Sequence, residues 1–179
     1  MGLVEDLVQL DDKLSQYIAN LIPFESNIRK IIQGFTFTGT AFFWVAYFIG
    51  WYIFQLTRVE ELLSMVFVFL FMLIPVYFLK HSIKRPRPDY KDTRMGVVAM
   101  DKWSFPSGHA SRSTYVMILM PIYIPSFTVF WILWGLALIA TRLLLGVHFV
   151  SDILGGIVVT AATLSLLFLV DFLPIIPWI

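Results

Sequence analysis

Three short stretches of charged and polar residues interrupt a chain that is otherwise rich in apolar runs. They are KHSIKRPRP at residues 80–88, FPSGHASR at 105–112 and TRLLLGVHFVSD at 141–152. Ionisable side chains beside or inside long apolar segments are costly in a membrane and generally mark a functional site. The residue types in these stretches are cations, hydroxyls, histidines and one carboxylate. Together they can bind an anion and transfer a proton or a group.

The cations and the Pro-Ser-Gly-His run favour a tetrahedral polyanion as the ligand. Lys80, Arg87 and Arg142 supply charged donors, and a planar guanidinium can hold two oxygens of one phosphate at once. Ser107 and Gly108 lie at the predicted start of a helix, where free backbone N–H groups and the helix dipole attract an anion. Glycine also lets a ligand come close to the backbone.

Two histidines suit different chemical tasks. His148 and Asp152 are four residues apart, so at the start of a helix they share a face and the carboxylate can bond one ring nitrogen. The second ring nitrogen of His148 then carries a lone pair that can act as a nucleophile. His109, which follows the Pro-Ser-Gly run, is a candidate general acid and base.

Three motifs, taken in order, carry a family resemblance. They are Lys80-x6-Arg87-Pro88, Pro106-Ser107-Gly108-His109 and Arg142-x5-His148-x3-Asp152. Their order and internal spacings resemble the signature of the type 2 phosphatidic acid phosphatase superfamily, which includes lipid phosphate phosphatases and vanadium haloperoxidases. The resemblance covers residues 80–155 directly. Thr141 stands where the family usually has serine, and it keeps the hydroxyl group.

The resemblance implies a role for each motif residue. His148 would attack phosphorus in line and form a phosphohistidine, with Asp152 orienting its ring. His109 would protonate the leaving oxygen and then activate water. The residues implied to bind the phosphoryl oxygens are Lys80, Arg87, Ser107, Gly108 and Arg142. The resemblance implies no metal and no other cofactor.

The residues around the central motif resemble one branch of the family. DKWSF at residues 101–105 and ASR at 110–112 look like the polyisoprenoid (presqualene) diphosphate phosphatases. This branch implies hydrolysis of an isoprenoid diphosphate to the monophosphate, and the cations Lys102 and Arg112 would suit the second phosphate. Lys102 could instead belong to a juxtamembrane cluster of cations, and Arg112 could instead pair with a carboxylate. The other members of that cluster are Lys84, Lys91 and Arg94.

Several alternatives remain open at this level. The substrate could be phosphatidic acid or phosphatidylglycerophosphate, and an acceptor lipid could replace water to give a phosphotransferase. A lipid-binding or transport bundle without catalysis is a further possibility, which complete occupation of the motif positions makes less attractive. We expect a lipid phosphate and the bilayer as partners and no nucleic acid. The sequence leaves the oligomeric state open.

The apolar content sets the fold class. Of 179 residues, 59% are hydrophobic and 17% aromatic, more than a soluble domain of this size can bury. Five apolar segments predict an all-α membrane bundle of about five transmembrane helices in one domain, residues 1–179, with the bundle spanning 36–173. These segments are residues 36–56, 62–79, 109–124, 127–145 and 152–173. Such spans exclude a soluble haloperoxidase. The chain has no cysteine, which excludes disulfides and thiolate chemistry.

The N-terminal region, residues 1–34, differs from the predicted spans. Apolar residues recur every three or four positions from Leu3 to Leu21, which predicts an amphipathic helix ending at Pro23. Its polar face is too charged to cross a bilayer, so we expect it at the interface or packed on the bundle. Residues 24–34 form a polar link or a short second interfacial helix. The family commonly has six crossings, and this helix takes the place of the first.

Five crossings place every polar cluster on one side of the membrane. The N-terminal region and the loops 80–108 and 142–152 share one face, and the loops 57–61 and 121–126 share the other with the C-terminus. Nine cations between Lys80 and Arg142 lie on the first face, and Arg58 lies on the second. The positive-inside rule therefore predicts a cytoplasmic active site.

Overall fold

The computed structural model describes residues 2–23, 25–56, 58–88 and 102–170, and its regular elements there are all helical. Lys91, Arg94, Asp101 and the last three residues of the predicted segment 152–173 lie outside the described residues. The helices are α1 (Leu3–Ala19), α2 (Asn27–Thr36), α3 (Ala41–Ile53), α4 (Val59–Ile83), α5 (Gly108–Tyr123), α6 (Thr128–Leu144) and α7 (Val150–Leu169), with short 3₁₀ turns at Phe37–Gly39 and Pro125–Phe127. The all-α membrane bundle predicted from composition is confirmed.

Helix α5 lies at the centre and packs against α4, α6 and α7. Its apolar residues Tyr115, Val116 and Met120 are fully buried, and so are the hydroxyl residues Ser111 and Ser113. Helix α5 is surrounded by other helices, whereas the outer helices also face lipid. Polar side chains are therefore tolerated on α5. This explains why its apolar segment is shorter and more polar than the others.

Two adjacent glycines allow α5 and α7 to approach closely. A Cβ atom on Gly156 would lie 2.6 Å from the carbonyl oxygen of Ser107, and one on Gly155 would overlap the ring of Phe105. Any larger residue would push the two helices apart. The close contact matters for function because α5 begins at the motif residue Gly108 and α7 begins two residues after His148.

By length and composition, three helices can cross a membrane, and up to four if one bent pair counts as a single span. The three are α4, α6 with the 3₁₀ turn before it, and α7, and the bent pair is α2 with α3. Helix α5 has 16 residues, fewer than the roughly 20 that a span needs. The sequence-based count of about five is therefore higher, because it included α5 and took the first apolar segment as one helix.

The first apolar segment, predicted as one helix over 36–56, is broken. Helix α2 ends at Thr36, a 3₁₀ turn follows, and α3 begins at Ala41 with an axis bent by 58°. Thr40 produces the break, because its Oγ1 accepts from Phe43 N at 3.3 Å and caps α3. Threonine is a good N-cap, but it is also a common residue inside membrane helices, so residue type alone does not indicate the break.

Helix α1 packs on α6 and α7 through its polar side. Ser15 and Ala19 are buried, whereas the leucines of the apolar stripe are exposed on the outside. Lipid would cover such a stripe, as expected for a helix at the membrane interface. The helix ends at Ala19, with Asn20 as its C-cap, four residues before the predicted end at Pro23. Ser26 caps α2, a short second helix that was the alternative to a polar link at residues 24–34.

Candidate active site

Hydrogen bonds join the three polar stretches at one end of the bundle. Ser104 N donates to Arg85 O at 2.9 Å, and Ser107 N donates to Asp152 O at 3.0 Å. The Ser104 hydroxyl also donates to Pro86 O at 2.9 Å. The segment after α4, the start of α5 and the start of α7 are therefore held in contact.

His148 and Asp152 lie together at the start of α7. His148 is in the turn before the helix and Asp152 in its first turn, with 3.4 Å between Nδ1 of the histidine and Oδ2 of the carboxylate. The same Oδ2 accepts from Phe149 N at 2.9 Å, which fixes the carboxylate. Both side chains are almost completely buried. The four-residue spacing predicted this pairing.

Arg87 defines the chemical state of the His148 ring. Its Nη1 lies 3.3 Å from His148 Nε2 and donates to Val147 O at 2.8 Å. A guanidinium group can only donate, so Nε2 is the acceptor and carries the lone pair, while Nδ1 carries the proton toward Asp152. The nitrogen suited to attack is thus the one beside a fixed cation.

Lys80 and Arg142 are both buried at this end of the bundle. Lys80 Nζ donates to Trp103 O at 3.1 Å, and Arg142 Nη1 donates to Thr36 Oγ1 at 2.9 Å. Buried cations are costly unless hydrogen-bonded partners or an anion compensate them. Protein oxygens compensate part of each charge here, and the phosphate contacts expected of Lys80 and Arg142 stay predictions.

Ser107 has a structural task that the sequence did not predict. Its Oγ accepts from Ala110 N at 3.4 Å as the N-cap of α5, and the side chain is fully buried. Gly108 is the first residue of the helix and lies against the side chain of Arg112. The phosphate contacts expected of Ser107 and Gly108 stay predictions.

The contacts of His109 determine its tautomer. Its Nδ1 lies 3.4 Å from Arg112 Nη2, and its Nε2 lies 3.2 Å from Thr36 O. Because the guanidinium can only donate and the carbonyl can only accept, Nδ1 holds the lone pair and Nε2 the proton. Arg142 and His148 are near enough to act electrostatically on this ring.

The two cations proposed for a second phosphate have different locations. Arg112 lies beside His109 and donates from Nε to Gly39 O at 2.7 Å. Lys102 is exposed, with its Nζ 4.9 Å from the centre of the Trp103 ring. The structure thus brings Arg112 to the histidine, and it places Lys102 over a tryptophan at the surface.

The turn between α2 and α3 is a part of the site that sequence reasoning missed. Thr36 contacts both His109 and Arg142, and a Cβ on Gly39 would lie 2.6 Å from Cδ2 of His109. Arg29, also on α2, is buried and donates to Leu145 O at 3.1 Å. Backbone atoms make several of these contacts, and a contact with a backbone atom cannot be recognised from the residue type.

A comparison with family models decides the family. Residues 61–174, more than half of the chain, match the model of the PAP2 superfamily. The chain belongs to the PAP2 superfamily. The matched range contains all three polar stretches, and it confirms the resemblance drawn from their motifs.

Two solved structures have the same fold as this chain. The first transmembrane PAP2-type phosphatidylglycerolphosphate phosphatase from Bacillus subtilis is similar at 22% identity and a TM-score of 0.70, over 90% of this chain and 86% of that chain. LpxE of Aquifex aeolicus is similar at 22% identity and a TM-score of 0.66, over 86% of this chain and 93% of that one. At this identity the likeness establishes the fold.

Membership in the PAP2 superfamily, together with the apolar helices, makes this protein a membrane-embedded lipid phosphatase that hydrolyses phosphoric esters. The enzyme class expected from the motifs is confirmed. The substrate, the roles of single residues and the side of the membrane are separate questions.

A further pair of residues in this PAP2 protein escaped the sequence analysis. Arg85 lies inside the first motif and forms ion pairs with Asp152 at 2.9 Å and with Asp11 of α1 at 2.9 Å. Its guanidinium carbon also lies 3.9 Å from the centre of the Phe149 ring. Its place among the cations of residues 80–88 was the only sequence signal. Asp11 gave none, because a charge on an amphipathic helix usually faces water.

The environment of Asp11 keeps it ionised. Burial raises the pKa of its carboxyl, but hydrogen bonds from Ser151 and Arg85 outweigh burial and leave the pKa below its ordinary value. A depressed pKa means that the folded protein favours the carboxylate form. Asp11 therefore stays negative beside Arg85 at neutral pH.

Acidic and imidazole side chains do not gather into a metal-binding group in the described parts of this PAP2 protein. Within residues 2–23, 25–56, 58–88 and 102–170, no set of three His, Asp or Glu side chains is arranged to hold an ion. The expectation that the reaction needs no metal stays a prediction, which activity in the presence of a chelator tests.

Proposed function

We propose that this PAP2 phosphatase removes the terminal phosphate of a polyisoprenoid diphosphate and leaves the monophosphate. The reaction would proceed through a phosphohistidine on His148. The observation that carries the mechanism is the position of the His148 ring between Asp152 and Arg87, with Nδ1 toward the carboxylate and Nε2 toward the cation. This tautomer presents a lone pair beside a donor suited to phosphoryl oxygens.

In the first half-reaction, the lone pair of His148 Nε2 forms a bond to the terminal phosphorus. The bond from phosphorus to the bridging oxygen breaks, and its electron pair leaves with the lipid monophosphate. Arg87, Arg142 and Lys80 stabilise the charge that spreads over the transferred oxygens. The His109 Nε2–H donates to the leaving oxygen, which replaces Thr36 O as its acceptor.

In the second half-reaction, water attacks phosphorus and the bond to His148 Nε2 breaks. The electron pair returns to the imidazole, inorganic phosphate leaves, and His109 takes the proton from the water. The two carboxylate contacts of Asp152, to His148 and to Phe149 N, hold the nucleophile in place through both steps.

Arg112 supports a diphosphate as the substrate. To act as an acid, His109 must bind a second proton on Nδ1, the atom that lies 3.4 Å from Arg112 Nη2. A second phosphate beside His109 would attract Arg112 away from Nδ1 and favour the protonated ring at the same time. A substrate with two linked phosphates would thus both bind this cation and prepare the acid.

A glycerolipid monoester, phosphatidylglycerophosphate, is the second candidate substrate. The similar fold of the Bacillus subtilis phosphatidylglycerolphosphate phosphatase favours it. Phosphatidic acid belongs to the same group of candidates. Neither substrate requires a second cation beside the acid histidine.

Phosphate release by the purified enzyme in excess chelator distinguishes these substrates. The panel contains farnesyl and longer prenyl diphosphates, a prenyl monophosphate, phosphatidic acid and phosphatidylglycerophosphate. We expect the highest kcat/KM on a prenyl diphosphate. A clear preference for the glycerolipids would overturn the isoprenoid proposal, and loss of activity with chelator would overturn the mechanism without metal.

The same assay separates hydrolysis from phosphotransfer and from binding without turnover. We expect release of inorganic phosphate to equal consumption of the diphosphate. A deficit accompanied by a newly phosphorylated lipid alcohol would identify a phosphotransferase. Phosphate release that survives His148→Ala would exclude catalysis by this site.

The cytoplasmic location of the site is also part of this proposal, and its support is the excess of cations at that end. Arg58 and Lys84 bracket α4 at its two ends and are both exposed. Since the chain has no cysteine, Arg58→Cys and Lys84→Cys can each be labelled without background by a membrane-impermeant maleimide. In intact cells we expect labelling of Arg58→Cys alone, and the reverse pattern would place the site outside.

A further inference from the structure

The start of α7 depends on side chains from α1. The first N–H groups of a helix have no partner within it. Here Val150 N donates to Ser15 Oγ at 2.9 Å, and Ser151 N donates to Asp11 Oδ1 at 3.0 Å. The Ser151 hydroxyl also donates to Asp11. Helix α1 therefore caps the very turn that carries Asp152.

Arg85 extends this contact to the carboxylate of the catalytic pair. Its Nη2 donates to Asp11 Oδ2 at 2.9 Å, and its Nη1 donates to Asp152 Oδ1 at 2.9 Å. The Asp152 carboxylate is completely buried, while Asp11 is 14% and Arg85 25% exposed. The guanidinium thus lies between one buried and one nearly buried carboxylate.

The two oxygens of Asp152 serve different neighbours. Oδ2 lies toward His148 Nδ1, and Oδ1 accepts from Arg85 and contacts the Ser104 hydroxyl at 3.4 Å. A cation on Oδ1 withdraws negative charge from the carboxylate and weakens its attraction for the imidazole proton. A second carboxylate on the same cation partly cancels that effect.

We propose that Asp11 is a positioning residue for catalysis. Through Arg85 it orients Asp152 and preserves the negative charge with which Asp152 supports His148. The inference rests on the proposed function of the His148–Asp152 pair. It makes α1, which lies outside the three motifs, a part of the active site.

Other charged groups lie near the His148–Asp152 pair, and the charge of Asp11 acts together with theirs. Arg85 and Arg87, after α4, contact the pair directly. The other charged or titratable groups at this end of the bundle are Arg29 on α2, Lys80 on α4, His109 and Arg112 on α5, and Arg142 on α6. Asp11 and Asp152 are the carboxylates among the contacts described here. Loss of the Asp11 charge therefore leaves a strongly cationic site.

The test compares two variants that change the charge in opposite directions. Asp11→Asn removes a negative charge, so protonation of the nucleophile becomes harder and the acidic limb of the kcat/KM–pH profile moves to lower pH. Arg85→Gln removes a positive charge, so the limb moves to higher pH. We expect shifts of about half a pH unit in each direction, on the order of a partly screened charge interaction. We also expect kcat to fall about tenfold, with KM changed less than about twofold.

Ser15→Ala and Asp11→Glu are the controls. Ser15→Ala removes the other cap from α7 without changing charge, so it lowers the melting temperature and leaves the pH limb in place. Asp11→Glu keeps the charge and restores the wild-type limb. If Asp11→Asn does not fold, the comparison is made between Arg85→Gln and Ser15→Ala. The acidic limb of the kcat/KM–pH profile should then move to higher pH in Arg85→Gln and stay in place in Ser15→Ala.

Two outcomes contradict the proposal. One is an unchanged limb in both charge variants, and the other is a shift in the same direction in both. Failure of the proposed function is recognised separately, because the wild-type enzyme would then form no phosphohistidine and His148→Ala would stay active. A wild type that forms the intermediate and an Asp11→Asn variant identical to it would reject only the inference about Asp11.

Discussion

The two histidines of the site take their partners from different parts of the chain. His148 contacts Asp152 and Arg87, which both belong to the motifs. His109 contacts the carbonyl oxygen of Thr36, at the end of α2, which no motif includes. The proposed nucleophile is therefore specified by side chains that a pattern of residues reveals. The proposed acid depends in part on a backbone atom, which any residue type would supply.

Replacement of the nucleophile gives the largest expected effect. His148→Ala removes the atom that would bond to phosphorus, so we expect kcat to fall at least about 10³-fold. His81→Ala is the matched control, because His81 is exposed and contacts Tyr77, and it should retain wild-type turnover. Quenched reactions with labelled substrate would detect an acid-labile phosphohistidine in the wild type alone. Equal activity in both variants would move the nucleophile elsewhere.

A methyl group on the turn beside His109 tests whether the position of this ring depends on the backbone around it. In Gly39→Ala the new Cβ would lie 2.6 Å from His109 Cδ2, so the ring must shift. We expect kcat to fall about 10²-fold, as a displacement near 1 Å in an active site can cause. Gly34→Ala is the control, since nothing lies within 4 Å of its Cβ. If Gly39→Ala were fully active, the contact of His109 with this turn would be unimportant.

Replacement of Arg112 tests whether the surroundings of His109 also distinguish a diphosphate from a monophosphate substrate. In Arg112→Gln we expect kcat/KM to fall about tenfold on a prenyl diphosphate, the scale of one charge-assisted hydrogen bond. The loss on a lipid monophosphate should be smaller. Lys102→Gln should change either value less than about twofold, because Lys102 is exposed over Trp103. An equal loss on both substrates would assign Arg112 a structural role only.

The smallest expected effect is on stability at acidic pH. It concerns Asp11, which is linked to His148 through Arg85 and Asp152. The pKa of Asp11 is lower in the folded protein than its ordinary value of 3.8. Its contribution to stability is therefore complete above that value and is lost as pH falls through the lower folded pKa. We expect the wild type to melt about 2–4 °C above Asp11→Asn at neutral pH, with the difference shrinking below about pH 4. Asp6→Asn, at an exposed position of α1, should show no such convergence, and a gap independent of pH would argue against an ionised Asp11.

The predictable parts of this protein are those in which residue type decides the outcome. The long apolar runs of α4, α6 and α7 predicted spanning helices, because a bilayer requires about 20 apolar residues per crossing. The spacing of His148 and Asp152 predicted their contact, because residues four apart share a helix face. Adjacent glycines in an apolar helix, such as Gly155 and Gly156, commonly mark close packing, and Cβ atoms added to these two would overlap Phe105 and Ser107.

The unpredicted parts depend on backbone atoms or on the direction in which a helix faces. The break before Ala41 uses a threonine cap inside an apolar run, where threonine is common without any break. Asp11 and Ser15 point to the bundle while the leucines of α1 point outward. Amphipathic patterning identifies the two faces of a helix but does not say which one meets the protein when lipid is also present.

One backbone hydrogen bond, from Ser107 N to Asp152 O at 3.0 Å, joins the helix that begins beside His109 to the helix that begins beside His148. The two helix starts beside the histidines are consequently joined through main-chain atoms, which nearly every residue type supplies. Residues that contact the lipid chain or its head group can then diverge among related enzymes while the geometry of phosphoryl transfer stays constant. Such a division permits one reaction to serve many lipids.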